Sequence, residues 1–108
     1  MDDKNFRGRT AIMSGGSRGI GLAIARAIAR RGGNIVLLAK TDTPDPRLPG
    51  TIHTAVDELN ELEGHAVPVV GDVRNDDDIA RAVAAAVEHF GGIDIVVNNA
   101  SVLDISKT

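Results

Sequence analysis

Along 108 residues, four short apolar runs alternate with three stretches of helical periodicity, and few architectures accept that order. Thr10-Ala11-Ile12-Met13 is halted by Ser14-Gly15-Gly16-Ser17, as a buried strand entering a tight turn would be. From there Ile20, Ala23, Ile24, Ala27 and Ile28 share one helical face, with Arg26, Arg30 and Arg31 toward the negative end of the helix dipole and Gly32-Gly33 as a stop. Ile35-Val36-Leu37-Leu38 is continuously apolar, as in a strand buried on both faces of a parallel sheet. The segment 41–50 carries Pro44, Pro46, Pro49 and Gly50 and reads as a stiff surface loop. Ile52, Ala55, Val56, Leu59 and Leu62 then mark a second helix between Thr51 as N-cap and Gly64 as stop. Residues 66–70 form a third strand, and Pro68 cannot donate to a ladder, which places that strand at a sheet edge. Asn75 caps a third helix, Asp76, Asp77 and Asp78 load its positive end, and Ile79, Ala82, Val83, Ala86, Val87 and Phe90 form its apolar face before Gly91-Gly92. Residues 93–97 form the last strand. The order β-α-β-α-β-α-β specifies an α/β chain with a parallel sheet and right-handed crossovers.

Composition narrows the function classes. The charge is −3, from 12 Lys and Arg against 15 Asp and Glu, and the basic residues are scattered, so the chain is no general nucleic-acid binder. No run approaches the roughly 20 apolar residues of a membrane span. The polar start Met1-Asp2-Asp3-Lys4-Asn5 has no apolar signal core, which makes the cytoplasm the expected compartment. The absence of Cys removes disulfides and thiol catalysis, and the absence of Tyr means that no tyrosyl acid or base can come from these residues. His53, His65 and His89 are widely spaced, and no metal site is expected.

The chemistry concentrates at the ends of the strands. Gly15-x-x-x-Gly19-x-Gly21 lies between the first strand and first helix, where Gly15 permits a sharp turn and Gly19 and Gly21 keep side chains away from a phosphate at the helix N-terminus. A structural turn is the alternative, made less favourable by the placement after a strand and before a periodic helix. The second strand ends in Ala39-Lys40-Thr41 without the acid that bonds a ribose 2′-hydroxyl, and Arg18 and Ser17 can reach a 2′-phosphate from the other side, so NADP(H) is expected over NAD(H). Lys40 and Arg18 as ordinary solvated cations is the competing reading. Asp72 can accept from an adenine amino group or simply end its strand as a polar turn residue. Asn98 and Asn99 can tie strands together or line a cofactor channel, and the sequence leaves both open. The Asp76–Asp78 run reads most simply as dipole chemistry at a helix start, with a cation site as the remote alternative.

Three segments in order, SGGSRGIG at 14–21, GDVR at 71–74 and GGIDIVVNNA at 91–100, resemble the N-terminal, cofactor-binding half of a short-chain dehydrogenase/reductase. The resemblance covers essentially the whole chain, and the proline-rich segment after Ala39-Lys40-Thr41 is similar to the hydroxysteroid-dehydrogenase-like 2 subgroup and its bacterial relatives. Ser14 stands where the family usually has Thr, and Ser101 where it usually has Gly. The resemblance implies a Rossmann-type sheet, incomplete at four strands and three helices, as the N-terminal part of one NAD(P)-binding domain over residues 1–108. It implies that Gly15, Ser17, Arg18, Gly19, Ile20 and Gly21 hold the phosphates and that Lys40 selects the 2′-phosphate. Asp72 and Val73 would contact adenine, and Asn98, Asn99 and Ala100 would flank the adenosine ribose.

The family's Ser, its Tyr-x-x-x-Lys pair and its Asn on later helices have no counterpart, so whether this chain is itself an enzyme stays open and no catalytic residue is assigned. The expectation is an NADP(H)-binding part of an oxidoreductase that moves hydride between cofactor and a carbonyl or alcohol, inactive as an isolated chain. An open edge on the last strand predicts marginal stability or aggregation. Full-length relatives are expected to be homo-oligomers. A non-catalytic NADP(H)-binding module or remnant is the main alternative. A methyl-donor binder would have an acid where Lys40 stands, and a purely structural remnant would have no cofactor affinity.

Overall fold

The computed structural model describes residues 6–15, 19–39, 52–72 and 74–98. Its elements are β1 (Thr10–Ser14), α1 (Gly19–Arg30), β2 (Asn34–Ala39), α2 (Ile52–Asn60), β3 (His65–Val70), α3 (Asp76–Phe90) and β4 (Ile95–Asn98). The strands form one parallel sheet in the order β3-β2-β1-β4, the α/β Rossmann-type arrangement expected from the alternation. Pro68 lies on β3 at the edge, opposite Leu37, as its missing donor requires. The proposed loop at 41–50 and the Thr51 cap lie outside the described residues.

Alternate side chains of each strand feed two apolar layers. Ala11, Met13, Ile35, Leu37, Ala39 and Ala66 face α1 and α2, while Ile12, Val36, Leu38 and Val69 face α3. Met13, Ile35, Val36 and Leu37 are wholly inaccessible to solvent, the two-sided burial that makes central parallel strands continuously apolar.

The helices present different stripes to the sheet from those the sequence suggests. On α1, Ala25, Ile28 and Ala29 are buried, whereas Ile20 is 75% and Ile24 37% exposed. On α3 only Ala82 and Ala86 are buried, and Ile79, Val83 and Val87 are exposed. Both helices press onto the sheet along alanines, whose small side chains allow close approach, joined on α1 by Ile28, while Ile20, Ile24, Ile79, Val83 and Val87 flank the contact. On the α3 side those flanking residues border an apolar groove of about 220 Å³ beside β4, lined by Ile12, Leu38, Ile79, Val83 and Val96.

Local chemistry sets the ends. Asn75 caps α3 by accepting from the amides of Asp77 and Asp78, and Gly91 closes it in the left-handed conformation at φ 87°. α2 ends at Asn60 rather than Leu62 because the Asn60 side chain is engaged with the start of β3, donating to the Ala66 carbonyl at 3.0 Å and accepting from its amide at 2.8 Å. β4 starts at Ile95 rather than Ile93 because Asp94 caps the neighbouring strand: the Thr10 amide donates to Asp94 Oδ2 at 2.9 Å, and the Asp94 amide donates to the Thr10 carbonyl at 2.8 Å. Between α1 and α2, Arg26 grips both oxygens of Glu58, through Nε and through Nη2 at 3.0 Å.

Candidate functional site

The winding of the sheet reverses at β1, with β2 and β3 laid down on one side and β4 on the other. At such a reversal the connections leave in opposite directions and a crevice opens outside the carboxyl ends of the strands, here those of β1 and β4. The chain leaves β1 through Gly15, whose φ of 71° disfavours any residue with a Cβ. The Gly15 amide donates to the Leu38 carbonyl at 2.9 Å, pinning the turn to the end of β2. Helix α1 begins at Gly19, so the unpaired amides of its first turn gather just beyond the strand, and Gly21 in that turn is buried. Ile20 points to solvent. Ser17 and Arg18 lie outside the described residues, as does Lys40, the residue after the last of β2.

Across the crevice, Ser14 is buried and its Oγ donates to Asn98 Oδ1 at 3.0 Å. The two residues are register partners of the β1–β4 ladder. Of the two roles open to Asn98, the structure therefore contains the strand tie. Asn99 and Ala100 lie outside the described residues.

Asp72 stands at the end of β3, where its backbone and carboxylate are both held. Arg74 grips the carboxylate through its backbone amide at 2.9 Å and Nε at 3.2 Å, both on Oδ1, and through Nη2 on Oδ2 at 3.1 Å. The Asp72 carbonyl accepts from the Asn75 amide at 2.9 Å, and the Asp72 amide donates to Asp78 Oδ2 at 2.8 Å. Asp78 Oδ1 in turn accepts from Arg81 Nη2 at 2.6 Å, and the same nitrogen reaches the Val70 carbonyl at 2.7 Å. The Arg81 guanidinium, helped by the Asp72 amide, holds the Asp78 carboxyl below the usual carboxylate range. Gly71 lies under this arrangement: a Cβ there would sit 2.7 Å from Asp78 Cγ. Val73 lies outside the described residues.

The parts played by Gly71, Asp78 and Arg81 escape a reading of the sequence that treats Asp76–Asp78 as a dipole partner or a cation site. The available signal was position. Asp78 is the third residue of α3, the capping-box position from which a side chain reaches back to an amide preceding the helix. Here it reaches past Asn75 to Asp72. Among the described residues no group of three or more His, Asp or Glu side chains is arranged to hold a metal, and no helix is long and apolar enough to cross a membrane.

A left-handed glycine, a helix N-terminus and a topological switch point fit the phosphates of a dinucleotide, with Asp72 following β3, two strands along the sheet from β1. Comparison with known proteins agrees. The profile described as short chain dehydrogenase matches residues 9–108, and the chain belongs to that oxidoreductase family. The hydroxysteroid dehydrogenase-like protein 2 of Bos taurus is 52% identical over 101 residues, covering 94% of this chain and 24% of that protein. A short chain dehydrogenase from Mycobacterium thermoresistibile superposes with a TM-score of 0.84 at 58% identity, over 88% of this chain and 34% of that one. The L-sorbose reductase of Gluconobacter frateurii, solved with NADPH and L-sorbose, gives a TM-score of 0.74 at 36% identity over 92% of this chain and 35% of that one. The carveol dehydrogenase of Mycobacterium avium, solved with NAD, gives 0.74 at 30% identity over 87% and 36%. The chain thus spans about a quarter of the curated relative and about a third of the solved chains.

Proposed function

We propose that the chain is the NADP(H)-binding part of a short-chain oxidoreductase that moves hydride between NADP(H) and a carbonyl or alcohol, and that these 108 residues alone turn nothing over. The observation that carries the reading is the switch-point crevice, with Gly15 and the α1 N-terminus on one wall and Asn98 on the other. When bound, the nicotinamide gives or takes the hydride. Gly15, Ser17, Arg18, Gly19, Ile20 and Gly21 surround the pyrophosphate in this reading, largely through backbone amides. Asp72 accepts from the adenine amino group with Val73 beside it, and Asn98, Asn99 and Ala100 flank the adenosine ribose. Residues 1–108 are the N-terminal part of a single dinucleotide-binding domain.

NADPH and NAD both occur among the family's solved structures, so the choice between them rests on the tip of β2. In this reading Lys40 supplies a cation there, with Arg18 and Ser17 from the glycine turn, and Ala39-Lys40-Thr41 carries no acid to meet a 2′-hydroxyl. Calorimetric titration with NADPH and NADH tests this. Wild-type protein is expected to prefer NADPH, and Lys40→Asp to weaken NADPH by about tenfold or more while leaving or improving NADH. Equal binding of both cofactors by the wild-type chain overturns the NADP(H) assignment. No binding of either overturns the cofactor reading altogether.

A chain without Tyr also suits a non-catalytic NADP(H)-binding module. A hydride-transfer assay of the purified chain bears on both: turnover above the cofactor background contradicts the inactivity proposed here.

A further inference from the structure

We infer that Asp78 is a positioning residue of the adenine subsite, fixing through the Asp72 amide and through Arg81 where the Asp72 carboxylate meets the 6-amino group of the base. The inference rests on the reading of Asp72 as the adenine acceptor. Strand β3 ends at Val70, and a strand end followed by glycine is ordinarily free to swing. Here three successive residues are each held by a hydrogen bond to the backbone. The Val70 carbonyl accepts from Arg81, the Gly71 amide donates to the Ala39 carbonyl at 2.9 Å, and the Asp72 amide donates to Asp78. Two of the three fastenings come from the first turns of α3.

The fit also excludes alternatives to glycine. With a Cβ on residue 71, Asp78 Cγ, Asp78 Cβ and Arg81 Nη2 would lie at 2.7, 2.8 and 2.9 Å, so the acid and guanidinium pack directly on the bare backbone. Arg74 then aligns the Asp72 carboxylate from the other direction, using both of its oxygens. A carboxylate carries about four acceptor sites, so an oxygen held by a guanidinium still accepts from an amino group. Asp78 touches neither base nor cofactor in this arrangement. It sets the height and tilt of the residue that does.

The test is a ratio of affinities for the full chain. NADPH is compared with its hypoxanthine counterpart, in which an oxo group replaces the 6-amino group and the acceptor on Asp72 loses its donor. Wild-type protein is expected to favour NADPH, and Asp78→Ala to reduce that preference by about tenfold. Asp78→Asn keeps an acceptor oxygen for the Asp72 amide and restores most of it. Asp77→Ala removes the same charge from the same helical turn and leaves the ratio unchanged, which separates positioning from dipole effects. If Asp78→Ala does not fold, Arg81→Met supplies the second variant and shifts the ratio in the same direction. Amide exchange at Asp72 in the ligand-free protein should quicken in Asp78→Ala. A folded Asp78 variant with the wild-type ratio and unchanged Asp72 exchange overturns the inference alone. A wild-type chain that binds both ligands equally overturns the adenine role of Asp72, and the inference with it.

Discussion

Thr10 and Asp94, 84 residues apart, hold each other twice: the Thr10 amide donates to the Asp94 carboxylate, and the Asp94 amide donates to the Thr10 carbonyl. Ser14 and Asn98 make the corresponding side-chain tie at the other end of the same pair of strands. The short β4 is thus bracketed by side chains as well as by its ladder. Asp94→Ala leaves the 1% exposed Thr10 without its acceptor and should cost about 1–3 kcal/mol in a urea titration. Asp94→Asn keeps an acceptor and should cost less. Equal losses for the two variants would mean that the carboxylate charge, not the hydrogen bond, matters.

Leu37 is fully buried at the centre of the sheet and packs in the layer shared by α1 and α2. Truncation to Ala should cost about 2–5 kcal/mol. Against a total of roughly 5–15 kcal/mol for a domain, that is enough to lower the denaturation midpoint severely. A shift of only a few tenths of a kcal/mol would contradict the two-sided burial.

Acid should loosen the molecule through Glu58 and Asp78. The hydrogen bond from Arg26 holds the Glu58 carboxyl below its ordinary range, and that from Arg81 does the same for Asp78. A depressed folded-state pKa contributes stability that is present above the unfolded value and lost as pH falls through the folded one, so stability should decline as pH falls through and below the ordinary carboxylate range. Glu58→Gln should flatten part of that slope. Because the pair is only half-buried, added salt should flatten it as well. A slope unchanged by the substitution would show that the Arg26–Glu58 contact contributes nothing to folding.

Val96 on the edge strand is 69% exposed and adjoins the exposed Val83 and Ile79. An apolar edge of this kind promotes association between chains. Val96→Lys should reduce concentration-dependent light scattering of the isolated chain with a stability change within about 0.5 kcal/mol. Unchanged scattering would place the sticky surface elsewhere.

The architecture was legible because each signal was local. Alternating runs gave the element order, Pro68 gave the edge, and Asn75 gave a helix start that its side-chain bonds reproduce. The packing faces were less so. Periodicity selects a stripe by apolarity alone and so favours Ile20, Ile24 and Val87, whereas a helix lying close on a sheet needs small residues at the contact, which Ala25, Ala29, Ala82 and Ala86 supply. At the candidate site, Gly15 could be placed from its position after a strand and Asn98 from its position at a strand end. The grip of Asp78 on Asp72 could not, since its geometry depends on how α3 returns over the end of β3.

The strand order also dictates the sequence of assembly. β1 can pair with β2 as soon as residue 39 is available, but its other neighbour is complete only at Asn98. Closing a loop of that length carries a larger entropic cost than closing the first crossover, and the pairing is of the long-range kind that slows folding. The crevice between β1 and β4 is therefore expected to form after the β1–β2 pair, which pulse-labelled amide exchange on the two strands would check. During synthesis the emerging polypeptide has the Gly15 turn before it has a cleft, and a ligand that needs both would favour only the finished register.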